Sequence, residues 1–168
     1  VLENGQVSLN LREGLLSDVL DRAVAAAAAD EHGARLRIAR DAMAEQVWLN
    51  TDLDRLSQVF INLVANTRKY CDAAMPELEI RVCASDRLTI DFVDNGSGIS
   101  PEAQDVIFEK FSRVSDQKAG GAGLGLALCK ELIASMGGQV GVHSVVGEGS
   151  CFWFAVPLGL VEENRAAA

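Results

Sequence analysis

Eleven of the 15 glycines in this 168-residue chain fall within one third of its length: Gly96, Gly98, Gly120, Gly121, Gly123, Gly125, Gly137, Gly138, Gly141, Gly147 and Gly149. Glycine weakens helix and strand interiors by roughly 0.5–1 kcal/mol relative to alanine, so glycine at this density marks turns and close backbone approaches. Aromatic, aliphatic and charged residues are interleaved with it, which excludes a low-complexity linker. The rest of the chain can build a core. Hydrophobic residues make up 49% and charged residues 23%, the balance of a folded protein, and the length suits one domain over 1–168 with its core at about 7–157.

Lysine and arginine total 15 against 24 acidic residues, a formal net charge of −9. That excludes broad nucleic-acid or anionic-membrane binding through long-range electrostatics, so an anionic ligand must be held by local groups. No apolar run approaches the roughly 20 residues that cross a bilayer, and no signal segment opens the chain. A cytoplasmic domain without direct membrane contact is expected. The chain begins at Val1 and closes in an alanine-rich tail, and is read as a piece of a longer protein. Cys71, Cys83, Cys129 and Cys151 form no C-x-x-C pair, and the expectation is small buried thiols rather than disulfides or a metal site.

Val7, Leu9 and Leu11 alternate as in a strand, and apolar residues from Leu15 to about Asp30 follow helical spacing until Gly33. Leu36 and Ile38, then Val47 and Leu49, predict two strands across a polar turn. The strongest helical pattern runs from Thr51 to Tyr70, with Thr51 or Asp52 as N-cap and Leu53, Leu56, Phe60, Leu63, Val64 and Thr67 on one face. Leu78, Ile80, Val82 and Leu88, Ile90, Phe92 predict a hairpin around Asp86-Arg87 that ends at Asp94. A short helix near Pro101 to Phe108 follows, then a helix from about Leu124 to Met136. Strands over about Val140 to Val145 and Ser150 to Val156 close the chain. The predicted fold class is an α/β sandwich.

Asn62, Asn66 and Lys69 are spaced by four and three residues and so share a helix face. Asparagine carbonyl oxygens suit Mg²⁺, which keeps waters and phosphates in the rest of its shell. In "VDNGSGI" a strand delivers Asp94 into a turn, where its carboxylate can accept from an exocyclic amine and Gly96 and Gly98 let a planar base approach the backbone. In "GGAGLGLAL" a glycine loop enters a helix, and such a start attracts phosphate through free amides and the helix dipole. No G-K-[ST] loop and no β-α-β unit accompanies it. Between the clusters, "IFEKFSRVSDQKAGGAG" reads as a lid, with Phe108 and Phe111 pinning its near end and Lys110, Arg113 and Lys118 meeting phosphate.

The ordered set "NLVANTRKY", "DNGSGI", "IFEKF", "GGAGLGLAL" and "GEGSCFWF" resembles the ATP-binding catalytic domain of bacterial sensor histidine kinases, a branch of the GHKL ATPase superfamily. The likeness spans roughly Val7 to Pro157. It implies a Bergerat-type two-layer α/β sandwich, a mixed sheet against about three helices with a mobile ATP lid. It also implies ATP and Mg²⁺ as ligands, with Asn66 on the metal, Asn62 supporting the metal and phosphate site, and Lys69 on phosphate. Tyr70 would stack near adenine, Asp94 would receive the adenine amine, and Gly96, Gly98 and Ile99 would line the base pocket, with Phe108 among the nucleotide-binding residues. Gly121, Gly123, Leu124, Gly125 and Leu126 would present backbone to the phosphates, Arg113 would meet the γ-phosphate, and Ser150 would place a hydroxyl near adenine. The catalytic residues would be Asn66, Lys69 and Arg113. Thr67 departs from the family's usual Ala, and Ala122 from its frequent Thr or Ser.

Hydrolysing relatives of the gyrase, Hsp90 and MutL type carry a Glu base where this chain has Asn62, and an amide cannot take a proton. Phosphoryl transfer to an external nucleophile therefore fits better than hydrolysis. In the resembled family that nucleophile is a histidine on a separate dimerisation domain, and a response regulator acts downstream. His32 and His143 match no phosphoacceptor motif and are expected at the surface. The competing expectation is a regulatory nucleotide-binding module of the anti-sigma or degenerate-kinase kind.

Overall fold

Alternating apolar residues in five strands, and helices with one apolar face, leave one solution: the sheet buries one side against the helices and exposes the other. A computed structural model of the chain describes residues 2–3, 6–7, 9–28, 36–109 and 125–157. A two-residue pair, β1 (Leu2–Glu3) with β2 (Gln6–Val7), precedes β3 (Arg12–Leu15) and α1 (Leu16–Ala28). Next come β4 (Arg37–Arg40), β5 (Trp48–Thr51), α2 (Leu53–Tyr70), β6 (Glu77–Ala84) and β7 (Arg87–Asp94). The one-turn helix α3 (Pro101–Gln104), α4 (Gly125–Ser135), β8 (Gln139–Ser144) and β9 (Ser150–Pro157) complete the order.

The main sheet runs β4-β6-β7-β9-β8. Only β4 and β6 are parallel; the other pairs are antiparallel, so the sheet is mixed. The expected two-layer α/β sandwich is what forms. Leu78, Ile80, Leu88, Ile90, Phe92, Phe152, Phe154 and Val156 point inward and are at most 4% exposed. They meet Leu56, Val59, Phe60, Leu63 and Val64 of α2 and residues of α1 and α4. Phe60, Phe92 and Phe154 form the centre, with ring centroids 5.7–6.3 Å apart. Asp52 caps α2 by accepting from Arg55 N–H at 3.1 Å, the second of the two caps expected.

Three expectations are corrected. The alternation at Leu9 and Leu11 is not a strand: both are exposed and the ladder with β5 starts at Arg12, because Asp52 takes the Asn10 N–H where another rung would lie. The helix expected over Pro101 to Phe108 is regular only to Gln104 and continues as turns. The thiols are not uniformly buried. Cys129 is buried against α2, Cys71 and Cys151 are half-buried, and Cys83 is exposed on the outward face of β6. The strands around Ile38 and Leu49 do form, yet in different sheets: β4 joins β6 and β5 joins β3.

Burial pushes the Cys129 thiol up to about 12 and the Cys151 thiol up to about 11, Asp91 adding to the latter. Both thiols then stay protonated near neutrality, and at pH 8 only roughly one thiolate in a thousand or fewer is present. Alkylation of the folded chain at pH 8, mapped by mass spectrometry, is expected to modify Cys83 first and to leave Cys129 and Cys151 unmodified over the same interval. Stability contributed by these neutral thiols is lost as pH rises above their ordinary value of 9.0 toward the raised values.

Candidate functional site

The last turns of α2 face the end of β7 across a cleft of about 480 Å³, a volume that includes the open solvent at its mouth. Asn66, Thr67, Tyr70 and Cys71 form the α2 wall, and Ser97, Gly98 and Ile99 face them. Asp94 and Ser150 form the floor at the ends of β7 and β9, where they are direct partners in the ladder. Ile107, Leu126 and Phe152 supply apolar lining.

The turn after β7 is held by a dense set of backbone contacts. Gly96 N–H donates to Asp94 Oδ1 at 2.9 Å, fixing the carboxylate, and a Cβ at Gly96 would sit 3.1 Å from that oxygen. Gly98 has φ +84°, and a Cβ there would run into the Val145 carbonyl. Ser97 N–H donates to Asp72 Oδ1 at 2.8 Å, and Gly147 N–H donates to Ser97 O at 2.7 Å. Asn95 ties the turn to the loop after α2: its Oδ1 accepts from Glu77 N–H at 2.8 Å and from Cys71 Sγ at 3.3 Å, and its Nδ2 donates to Met75 O.

Of the residues predicted from sequence, Asn66, Tyr70, Asp94, Gly98, Ile99, Leu126 and Ser150 share this cleft. Asn62, Lys69, Gly96, Phe108 and Gly125 stand outside its lining. Asn62 accepts from Gln58 Nε2 at 2.8 Å and points its own Nδ2 at Gly125 O at 3.5 Å, so it links α2 to the first residue of α4. Lys69 is exposed. Phe108 packs edge-on against Phe152, with centroids 6.2 Å apart. Gly125 has open space where a Cβ would project. Lys110, Phe111, Arg113, Lys118, Gly121, Gly123, Leu124 and His32 lie outside the described residues.

Thr67, Cys71, Ser97, Ile107 and Phe152 line the cleft without having been anticipated there. Thr67 was assigned to the apolar face by its spacing, and its hydroxyl is satisfied by Leu63 O at 3.3 Å, so it presents its remaining surface to the cleft. Among the described residues no group of three or more His, Cys, Asp and Glu side chains could hold a metal. Asn66 is the oxygen donor that fits one: half-buried on the cleft wall, its carboxamide has no hydrogen-bond partner among the described residues.

Residues 51–160 match the family model described as histidine kinase-, DNA gyrase B- and HSP90-like ATPase. The sensor histidine kinase AruS of Pseudomonas aeruginosa is 40% identical over 120 residues, covering 66% of this chain and 12% of that protein. The sensor protein kinase WalK of Staphylococcus haemolyticus is 33% identical over 131 residues, 74% of this chain and 21% of that protein. The chain thus spans between about an eighth and a fifth of these relatives. Full-length ShkA in complex with AMPPNP superposes with a TM-score of 0.74 at 30% identity, covering 91% of this chain and 32% of that one. The catalytic domain of the histidine kinase ThkA, nucleotide-free, shares the fold with a TM-score of 0.73 at 22% identity, over 89% of this chain and 97% of that one.

The glycines around the cleft separate two costs. Gly147 has φ +88° and open space around its Cβ position, so Gly147→Ala is expected to cost only the left-handed penalty, roughly 1–2 kcal/mol. Gly98→Ala adds a collision with backbone and is expected to cost clearly more, about 3 kcal/mol. Urea unfolding of the two variants checks the order.

Proposed function

The chain belongs to the family of histidine kinase-, DNA gyrase B- and HSP90-like ATPases, and from that premise we propose that it is the ATP-binding catalytic domain of a sensor histidine kinase. In this reading it presents Mg-ATP so that the γ-phosphoryl group passes to a histidine on a separate dimerisation domain, and from there to a response regulator. What supports it is the cleft, in which Asn66 and Asp94 face one cavity from α2 and β7.

Asp94, held by Gly96 N–H, would accept a proton of the adenine amine. Gly98 and Ile99 would flank the base, with Tyr70 stacking nearby and the Ser150 hydroxyl at the base edge. Asn66 would hold Mg²⁺ through its carboxamide oxygen, and the ion would neutralise phosphate charge and orient the terminal phosphate. Lys69 would contact phosphate, and the start of α4 at Gly125 and Leu126 would offer it backbone. The same role is proposed for Gly121, Gly123 and Leu124, and γ-phosphate contact for Arg113.

Transfer fits better than hydrolysis because no base stands at Asn62, whose carboxamide oxygen accepts from Gln58 and whose nitrogen faces Gly125. Among the described residues the one histidine, His143, lies on the outward face of β8, stacked at 6.1 Å on Trp153 and away from the helices. His32 lies outside the described residues and matches no phosphoacceptor motif, so in this reading the acceptor comes from a separate domain. No helix among the described residues is long and apolar enough to cross a membrane.

Calorimetry with and without Mg²⁺ tests the site. Asn66→Ala is expected to abolish the Mg²⁺-dependent part of ATP affinity, and Asp94→Asn to weaken ATP by about tenfold or more, the worth of a hydrogen bond to a charged group. Unchanged affinity in both variants would refute the assignment. Incubated alone with labelled ATP, the chain is expected to gain no acid-labile label; stoichiometric labelling would place the acceptor within it.

A further inference from the structure

Ser144, the last residue of β8, lies outside the cleft lining and has no role in the reading above. Its hydroxyl donates to Gly149 O at 2.7 Å, and a carbonyl can only accept. The same oxygen accepts from Ile99 N–H at 2.8 Å and stands 3.0 Å from Ser150 Oγ. A hydroxyl has one proton and two lone pairs. With the proton given to Gly149 and one lone pair to Ile99, Ser144 can only accept from Ser150. The Ser150 proton is thereby directed out of the cleft, and the Ser150 oxygen, 6% exposed at residue level, meets the cleft as an acceptor alone.

Ser144 cannot readily turn away from this arrangement. The Gln104 side-chain amide donates to both Ser144 O and Ile99 O, at 2.9 and 2.8 Å, clamping the two backbones that bracket the hydroxyl. Ser150 is the direct ladder partner of Asp94, so the floor of the cleft sets two acceptors side by side. A water donating to both would likewise turn only its lone pairs toward a ligand. Either way the ligand edge at that end must bring protons.

We propose that Ser144 is a positioning residue that determines base specificity: by holding Ser150 as an acceptor beside Asp94, it makes the cleft select a purine with an exocyclic 6-amine over one with a 6-carbonyl. This rests on the nucleotide-binding reading given above. Adenine presents a 6-amine beside an accepting N1, and hypoxanthine a 6-carbonyl beside a donating N1–H, on the same sugar and triphosphate. Removing the Ser144 hydroxyl releases the Ser150 proton, which can then turn into the cleft and serve a carbonyl, so discrimination falls.

The test compares the affinities of ATP and inosine triphosphate for the 168-residue chain, with thermal unfolding to verify that each variant is folded. Wild type is expected to favour ATP. Ser144→Ala is expected to lower the ATP-to-inosine-triphosphate ratio about tenfold, the scale of one hydrogen bond, while Ser144→Thr, which keeps the hydroxyl, holds the ratio within about twofold. In a Ser150→Ala background, Ser144→Ala is expected to change the ratio no further, because Ser144 acts through Ser150. An unaltered ratio in Ser144→Ala, an equal weakening of both nucleotides, or the same fall in the Ser150→Ala background would overturn the inference while leaving the nucleotide-binding reading in place. A folded wild type that binds neither nucleotide would instead overturn the nucleotide-binding reading and the inference with it.

Discussion

At one end of the sheet, backbones approach more closely than any side chain permits. A Cβ at Gly149 would meet the Asp94 carbonyl, and a Cβ at Gly98 would meet the Val145 carbonyl; both residues have positive φ. The hairpin tip between β8 and β9, the end of β7 and the turn after it are thereby fastened into one body, with Gly147 N–H to Ser97 O as a further rivet. This contact gives the cleft its floor, because it fixes where β7 ends at Asp94 and β9 begins at Ser150. Four of the eleven clustered glycines, Gly96, Gly98, Gly147 and Gly149, lie here. Gly141 has a separate reason: its missing side chain makes room for the Trp153 indole on the outward face of the sheet.

The opposite wall is rigid because α2 does two jobs at once. One face carries Leu56, Phe60, Leu63 and Val64 into the core. The adjoining face presents Asn66 and Tyr70 to the cleft, with Thr67 on the border between the two. The start of the helix is secured by the Asp52 cap and by Arg55, which pairs with Asp52 at 3.2 Å and reaches Ser135 at the end of α4 at 3.0 Å. A side chain on such a helix is held by core packing, which limits the ordering cost of binding.

Local pattern made most of these elements legible. The alternation in β6, β7 and β9 and the long amphipathic run of α2 each depend on residues a few positions apart, and Asp94 and Gly98 announce themselves as strand end and turn. Pairing does not follow from local pattern. Leu36 to Ile38 and Val47 to Leu49 read as neighbours, yet the first lies parallel to β6 and the second antiparallel to β3, choices made by partners distant in sequence. The cleft lining behaves the same way: only the packed structure turns the edges of Ile107 and Phe152 toward a cavity. Shared helical spacing placed Asn62 with Asn66, but the contacts of Gln58 and Gly125 give it a linking role that spacing could not show.

In the proposed reading, helix α2 would also serve as a ruler for the orientation of a ligand. Asn62 touches the first residue of α4, and Cys71, nine residues on, touches Asn95 in the turn after β7. At 1.5 Å per residue the two contacts are separated by about 13 Å along the axis. The Cys71 end holds the Asp94 carboxylate, which repels phosphate and attracts an amine. The Asn62 end meets a helix start, whose free amides and dipole attract anions. With a net charge of −9 the chain has no long-range pull for a polyphosphate, and screening confines surface charges to about 8 Å at physiological ionic strength. In the proposed reading, orientation would then depend on this short-range gradient, which would favour a ligand lying along α2 with its amine at the Asp94 end and its phosphates at the α4 end.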